Sequence, residues 1–63
     1  MKNLFGSKEA CKAAIEAFRG YGVEFTRCKG PDGFYLKIQD ASRKTMDLAL
    51  KAAQKKDPNA HVK

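Results

Sequence analysis

Val23-Glu24-Phe25-Thr26-Arg27-Cys28-Lys29-Gly30-Pro31-Asp32-Gly33-Phe34-Tyr35-Leu36-Lys37-Ile38-Gln39-Asp40 is the stretch whose reading decides the fold. Two alternating apolar runs, Val23-Glu24-Phe25 and Phe34-Tyr35-Leu36-Lys37-Ile38, flank Gly30-Pro31-Asp32-Gly33. Alternation has the period of a strand, and the four residues between the runs have turn chemistry. Pro sets φ for the first corner, Asp bonds nearby backbone, and Gly supplies positive φ. The stretch therefore reads as a β-hairpin.

Two registers compete for it. Pairing Lys29 with Phe34, Arg27 with Leu36 and Phe25 with Ile38 puts Val23, Phe25, Phe34, Leu36 and Ile38 on one face. A type I turn with a Gly bulge would pair Gly30 with Phe34, bring Thr26 and Cys28 inside and turn Phe25 outward. A one-residue slip exchanges the two faces, so burial sets register strongly and favours the first arrangement.

Working outward, a helical pattern lies on each side. Ser7 is a good N-cap, and Cys11, Ala14, Ile15 and Phe18 recur at helical spacing over about 8–19. Gly20 and Gly22 stop that helix, and Leu4 or Phe5 can fold back on it as a staple. After the hairpin (about 23–39), Asp40 or Ser42 caps a helix over about 42–56, with Met46, Ala49, Leu50 and Ala53 as its apolar stripe. Asp57-Pro58 ends it, because the residue before Pro avoids the helical region. Residues 57–63 read as a frayed tail.

The chain thus reads as one α+β domain over 1–63. It is a two-layer α-β-β-α unit, an antiparallel hairpin covered on one face by two helices. A two-stranded sheet has two open edges and is marginal alone. Edge-to-edge pairing of two copies into a four-stranded sheet, a homodimer, would relieve both problems.

Bulk properties narrow the functional classes. A chain of 63 residues buries only about 60% of the surface its unfolded form exposes. Its 13 basic and 7 acidic residues leave a net charge of +6, which attracts acidic partners at long range. Nucleic acid, DNA or RNA, is the commonest such partner, and an acidic protein surface is the other. The 2 cysteines lie apart, with no CxxC and no clustered His, so no metal framework and no cofactor is expected. Nothing resembles a signal peptide or a membrane span, which places the chain in the cytoplasm with reduced thiols.

Catalytic chemistry is thinly represented. His61, the only histidine, falls in the tail, where a general base is not held in place. Glu9 and Glu16 are about 10 Å apart along a helix and read as a solvated face. Cys11, near a helix N-terminus, is the one thiol with a route to a lowered pKa; the plainer reading is a small core hydrophobe. Gly20-Tyr21-Gly22 precedes a strand rather than a helix, so it is no dinucleotide fingerprint. No catalytic residue is expected.

Two surfaces can bind. On the hairpin, Tyr35 and Lys37 on the outer face, with Arg27 and Lys29 near the tip, make a small aromatic-plus-basic surface. On the second helix Arg43 lies beside a stripe of Lys44, Leu48, Lys51 and Lys55, which fits a phosphate backbone or an acidic protein groove.

The order helix, glycine stop, Phe25-x-Arg27-x-Lys29-Gly30, strand, helix resembles the small double-stranded-RNA-binding-type domain of HicA-family toxins, over roughly Glu9 to Ala53. In that family a catalytic histidine follows the glycine after the first strand. Here Pro31-Asp32 follow Gly30 and the middle strand is missing, so the resemblance implies an RNA-binding shape without ribonuclease activity.

The leading expectation is a small basic non-enzymatic module contacting nucleic acid through Arg27, Lys29, Tyr35, Lys37, Arg43, Lys44, Lys51 and Lys55. The alternative is a protein-interaction module, a small inhibitor or accessory factor. It would dock by strand addition or through the second helix, with Tyr35 and Leu48 as apolar anchors.

Overall fold

The computed structural model of the chain describes residues 2–31 and 33–63; Met1 and Asp32, the latter a corner of the expected hairpin turn, lie outside the described residues. The elements run β1 (Lys2–Gly6), α1 (Lys8–Gly20), β2 (Phe25–Gly30), β3 (Gly33–Ile38), α2 (Arg43–Lys56) and β4 (His61–Val62). They form one antiparallel four-stranded sheet in the order β2-β3-β1-β4, with both helices on one face. This is the split β-α-β topology, in which the first strand is inserted at the centre of the sheet.

The two-layer α+β architecture, both helices and the hairpin follow the sequence pattern. Ser7 and Ser42 cap the helices, each hydroxyl accepting a backbone N–H three residues on, from Ala10 and Thr45. Gly22 takes φ +67° just past α1, a conformation Gly adopts without Cβ strain. The hairpin has the register that burial favours: Phe25 opposite Ile38, Arg27 opposite Leu36, Lys29 opposite Phe34.

Three expectations are corrected. The four-stranded sheet lies within a single chain and not across a dimer. Residues 2–6 are a strand rather than a staple. The end of the chain is a short strand rather than a frayed tail. Leu4 enters the core opposite Leu36, while Phe5 points to the other face opposite Tyr35. β4 pairs with the far side of β1, Leu4 with Val62 and Phe5 with His61. Lys63 and Asn3 exchange backbone hydrogen bonds of 2.9 and 3.2 Å. The physical reason is the same for both ends. A two-stranded hairpin cannot cover two apolar helices, so Leu4, Ala60 and Val62 fill the space a wider sheet requires.

Phe18, Leu4, Leu36 and Ile38 are the largest fully buried side chains. Around them Cys11, Ala14, Ile15, Met46, Ala49 and Ala53 close the helical layer. The alanines let α1 and α2 approach closely. Gly6 does the same at the turn into α1: a Cβ there would stand 3.0 Å from Ala10 Cβ and 3.2 Å from Ala60 Cβ.

Asp57 ties the two ends together. Its Oδ2 accepts the Ser7 N–H at 2.9 Å and its Oδ1 accepts the Asn59 N–H at 3.0 Å. Its carbonyl accepts the Ala60 N–H, and Gln54 donates to the Ala60 carbonyl. The carboxylate also sits at the positive end of the α1 dipole. Asp57→Ala leaves the partly buried Ser7 N–H unpaired and is expected to cost about 1–3 kcal/mol. It should also speed hydrogen exchange at the Lys63 amide. An unchanged urea midpoint with unchanged Lys63 exchange would contradict the anchor. No helix among the described residues is long and apolar enough to cross a membrane.

Candidate functional site

Strand parity places Leu4, Leu36 and Ile38 under the helices and turns their neighbours to the helix-free face. On that face Tyr35 of β3, Phe5 of β1 and His61 of β4 stand side by side, because the register pairs Phe5 with both others. The ring centroids are 5.3 Å apart in each pair, with interplanar angles of 27° for Tyr35–Phe5 and 19° for Phe5–His61. Such spacing lies within the range of about 4.5–7 Å for offset aromatic pairs, the arrangement their quadrupoles favour. Phe5 and Tyr35 are half-buried and His61 is exposed. Three rings thus cross three strands in one row.

Each ring is held from below or beside. The Tyr35 ring lies over Gly30, where a Cβ would come within 3.3 Å of Cε1. Cys28 is its cross-strand neighbour, and that thiol beside the phenol pushes the Tyr35 pKa above its ordinary value. His61 Nδ1 is 3.0 Å from the Asn59 carbonyl. A carbonyl only accepts, so this bond requires Nδ1–H and leaves Nε2 free to accept.

The row borders an open concavity of about 290 Å³ that also touches Pro31, Asn59 and Lys63. That is at the small end of ligand pockets, which run from about 300 to 1,000 Å³, and suits a flat ring better than a large molecule. Along the rest of the face lie Lys37, Asn3 and Lys63, in line across β3, β1 and the end of β4. The Asn3 Oδ1 is buried, and among the described residues it has no hydrogen-bond partner.

The expected site residues fall on three separate surfaces. Tyr35 and Lys37 are on this face. Arg27 and Lys29 pair with Leu36 and Phe34, hence point to the helix side at the β2 edge. Arg43, Lys44, Lys51 and Lys55 are exposed on α2, on the outer side of the helical layer, with Leu48 38% exposed among them. Phe5, His61, Asn3 and Lys63 were missed in the sequence. The available signal was the pair Leu4-Phe5 just before a helix cap, one side chain for each face of a strand.

Cys11 and Cys28 are free. Cys11 is buried, its thiol 3.9 Å from the Gly6 carbonyl. Desolvation, and secondly the Asp57 charge, push its pKa up. The helix N-terminus does not activate it, and Cys11 is a core residue. No group of His, Cys, Asp and Glu able to hold a metal is found among the described residues. Comparison with family models, curated proteins and solved structures finds no match to this chain.

Proposed function

We propose that this chain is a small, basic, non-enzymatic module that binds single-stranded nucleic acid across the open face of its sheet. The observation that carries this reading is the row Tyr35–Phe5–His61 on a face that no helix covers. Aromatic side chains on the strands of a four-stranded sheet stack unpaired bases, and every base has a π-face to offer. Lys37 and Lys63 flank the row and supply charge for the backbone. His61 Nε2 supplies a hydrogen-bonding group beside the row. The net charge of +6 draws a polyanion to the molecule before any contact forms.

This reading moves the interface away from α2. The lysines of that helix lie on the other layer, so a short strand seated on the rings does not also engage them. Fluorescence anisotropy with short single-stranded RNA and DNA between about 50 and 200 mM salt tests the proposal. Single strands are expected to bind more tightly than the matching duplex. The salt slope is expected to correspond to only a few phosphates, each contributing about 0.7. Tighter binding of the duplex, or no binding at the lowest salt, would refute it.

A further inference from the structure

A second groove runs on the opposite side of β2. α1 lies over β1 and β3, while α2 packs on α1 and reaches β4, so the helix-facing side of β2 is open toward α1. The resulting groove has a volume of about 410 Å³. Its floor is apolar: Ile15 from α1, with Leu36 and the 40% exposed ring of Phe34 from β3. Its walls are cationic: Lys8 and Lys12 from α1, Arg27 and Lys29 from β2. Among the described residues no acidic side chain lines it. β2 is also an edge strand, so alternate backbone N–H and C=O groups face away from β3 with no strand beside them.

We propose that this groove takes an extended acidic segment of another protein, which adds to the β2 edge as a further strand. Strand addition uses the free backbone groups for affinity and the side-chain pockets for selection. An incoming strand would place alternate side chains over the groove. Apolar ones would meet Ile15 and Phe34, and acidic ones would meet Arg27, Lys29, Lys8 and Lys12. The charges also exclude a second copy of this chain. Antiparallel pairing of two β2 edges would set Arg27 and Lys29 against their own counterparts, and inward-facing charges of this kind commonly keep edges unpaired. The surface therefore rejects its own strand and admits one of opposite charge.

The groove and the concavity beside the ring row share Phe34 and Tyr35 at their rims, but Arg27, Lys29, Lys8 and Lys12 line the groove alone, so the amides of β2 and α1 test this inference apart from the nucleic-acid reading. The test is an amide-resolved NMR titration of the intact chain with a capped peptide as long as β2 whose every second residue is Glu and Val in turn, with Thr between, so that both kinds share one face. A Lys/Val peptide of the same length is titrated in parallel. The acidic peptide is expected to shift the amides of Phe25–Lys29 and of Lys8–Lys12, and the basic peptide is expected to shift neither. Arg27→Glu with Lys29→Glu is expected to weaken binding about tenfold or more. Both positions are exposed; should that pair fail to fold, Lys8→Glu with Lys12→Glu carries the same test. Four outcomes would overturn the proposal. They are an acidic peptide that shifts no groove amide but those of α2 or the open face or none, and a variant that binds as well as the parent. The others are RNA rather than peptide shifting the groove amides, and concentration alone shifting the β2 amides, which marks a second copy as the occupant.

Discussion

Phe18→Ala is expected to remove a large share of the folding stability, about 3–5 kcal/mol. Phe18 is wholly buried and is among the four largest fully buried side chains. Its ring packs against Phe25 at 6.0 Å and a tilt of 33°, joining the end of α1 to the start of β2. Its carbonyl accepts the N–H groups of Tyr21 and Val23, so the same residue organises the exit from the helix. Truncating a buried Phe to Ala costs about 3–5 kcal/mol. A domain of 63 residues at roughly 0.05–0.15 kcal/mol per residue has about 3–9 kcal/mol in total. The loss thus runs from about a third of the stability to all of it. Urea unfolding followed by far-UV circular dichroism measures it. Phe18→Leu, which keeps most of the volume, is expected to lose less than about 1.5 kcal/mol. A Phe18→Ala loss below about 1 kcal/mol, far under the usual range, would mean the core is not centred where the packing places it.

Phe5→Ala is expected to weaken single-stranded nucleic-acid binding by about tenfold or more, since each base–aromatic contact contributes about 1–3 kcal/mol. Phe5 is the middle ring, stacked on Tyr35 on one side and His61 on the other, so its loss interrupts the whole row. Tyr35→Ala should act similarly. The salt dependence separates stacking from charge. Removing a ring removes no phosphate contact, so affinity falls while the salt slope stays the same. Lys37→Ala should instead weaken all sequences alike and flatten the slope by about 0.7 for a single strand. Phe5→Leu controls for stability: it retains an apolar side chain over β1 but offers no π-face. Equal affinity of Phe5→Ala and the parent would remove the open face as the interface. The basic stripe of Lys44, Lys51 and Lys55 would then be the surface to examine.

The two sets of predictions rest on residues of different legibility. Phe18 stands at the end of a helical apolar stripe that begins at Cys11, and periodicity alone places it inside. Phe5 sits in a five-residue strand, Lys2–Gly6, too short for alternation to register against the strong helix that follows it. His61 and Val62 form a strand of two residues, below any periodic signal. The weakness of an isolated hairpin was itself a clue that more strands were needed. A second copy and the ends of the same chain answer that need equally well on pattern alone. What discriminates them is packing: Leu4 and Ala60 are almost fully buried, and Asp57 bonds the start of α1.

Local order along the chain determined both helices and their serine caps, the hairpin with its register, and the apolar face each presents. All of these depend on residues within a few positions of one another, or on a turn that couples two adjacent strands. Only the tertiary structure decided that β1 enters the centre of the sheet and that β4 closes its edge. The β1–β4 pairings join residues 58 and 56 positions apart, Leu4 with Val62 and Phe5 with His61. No local propensity carries that information; it arises from the need to cover the apolar faces of α1 and α2 with one sheet. The ring row is a consequence of the same placement, since Tyr35, Phe5 and His61 come from three strands that are neighbours only after the chain has folded.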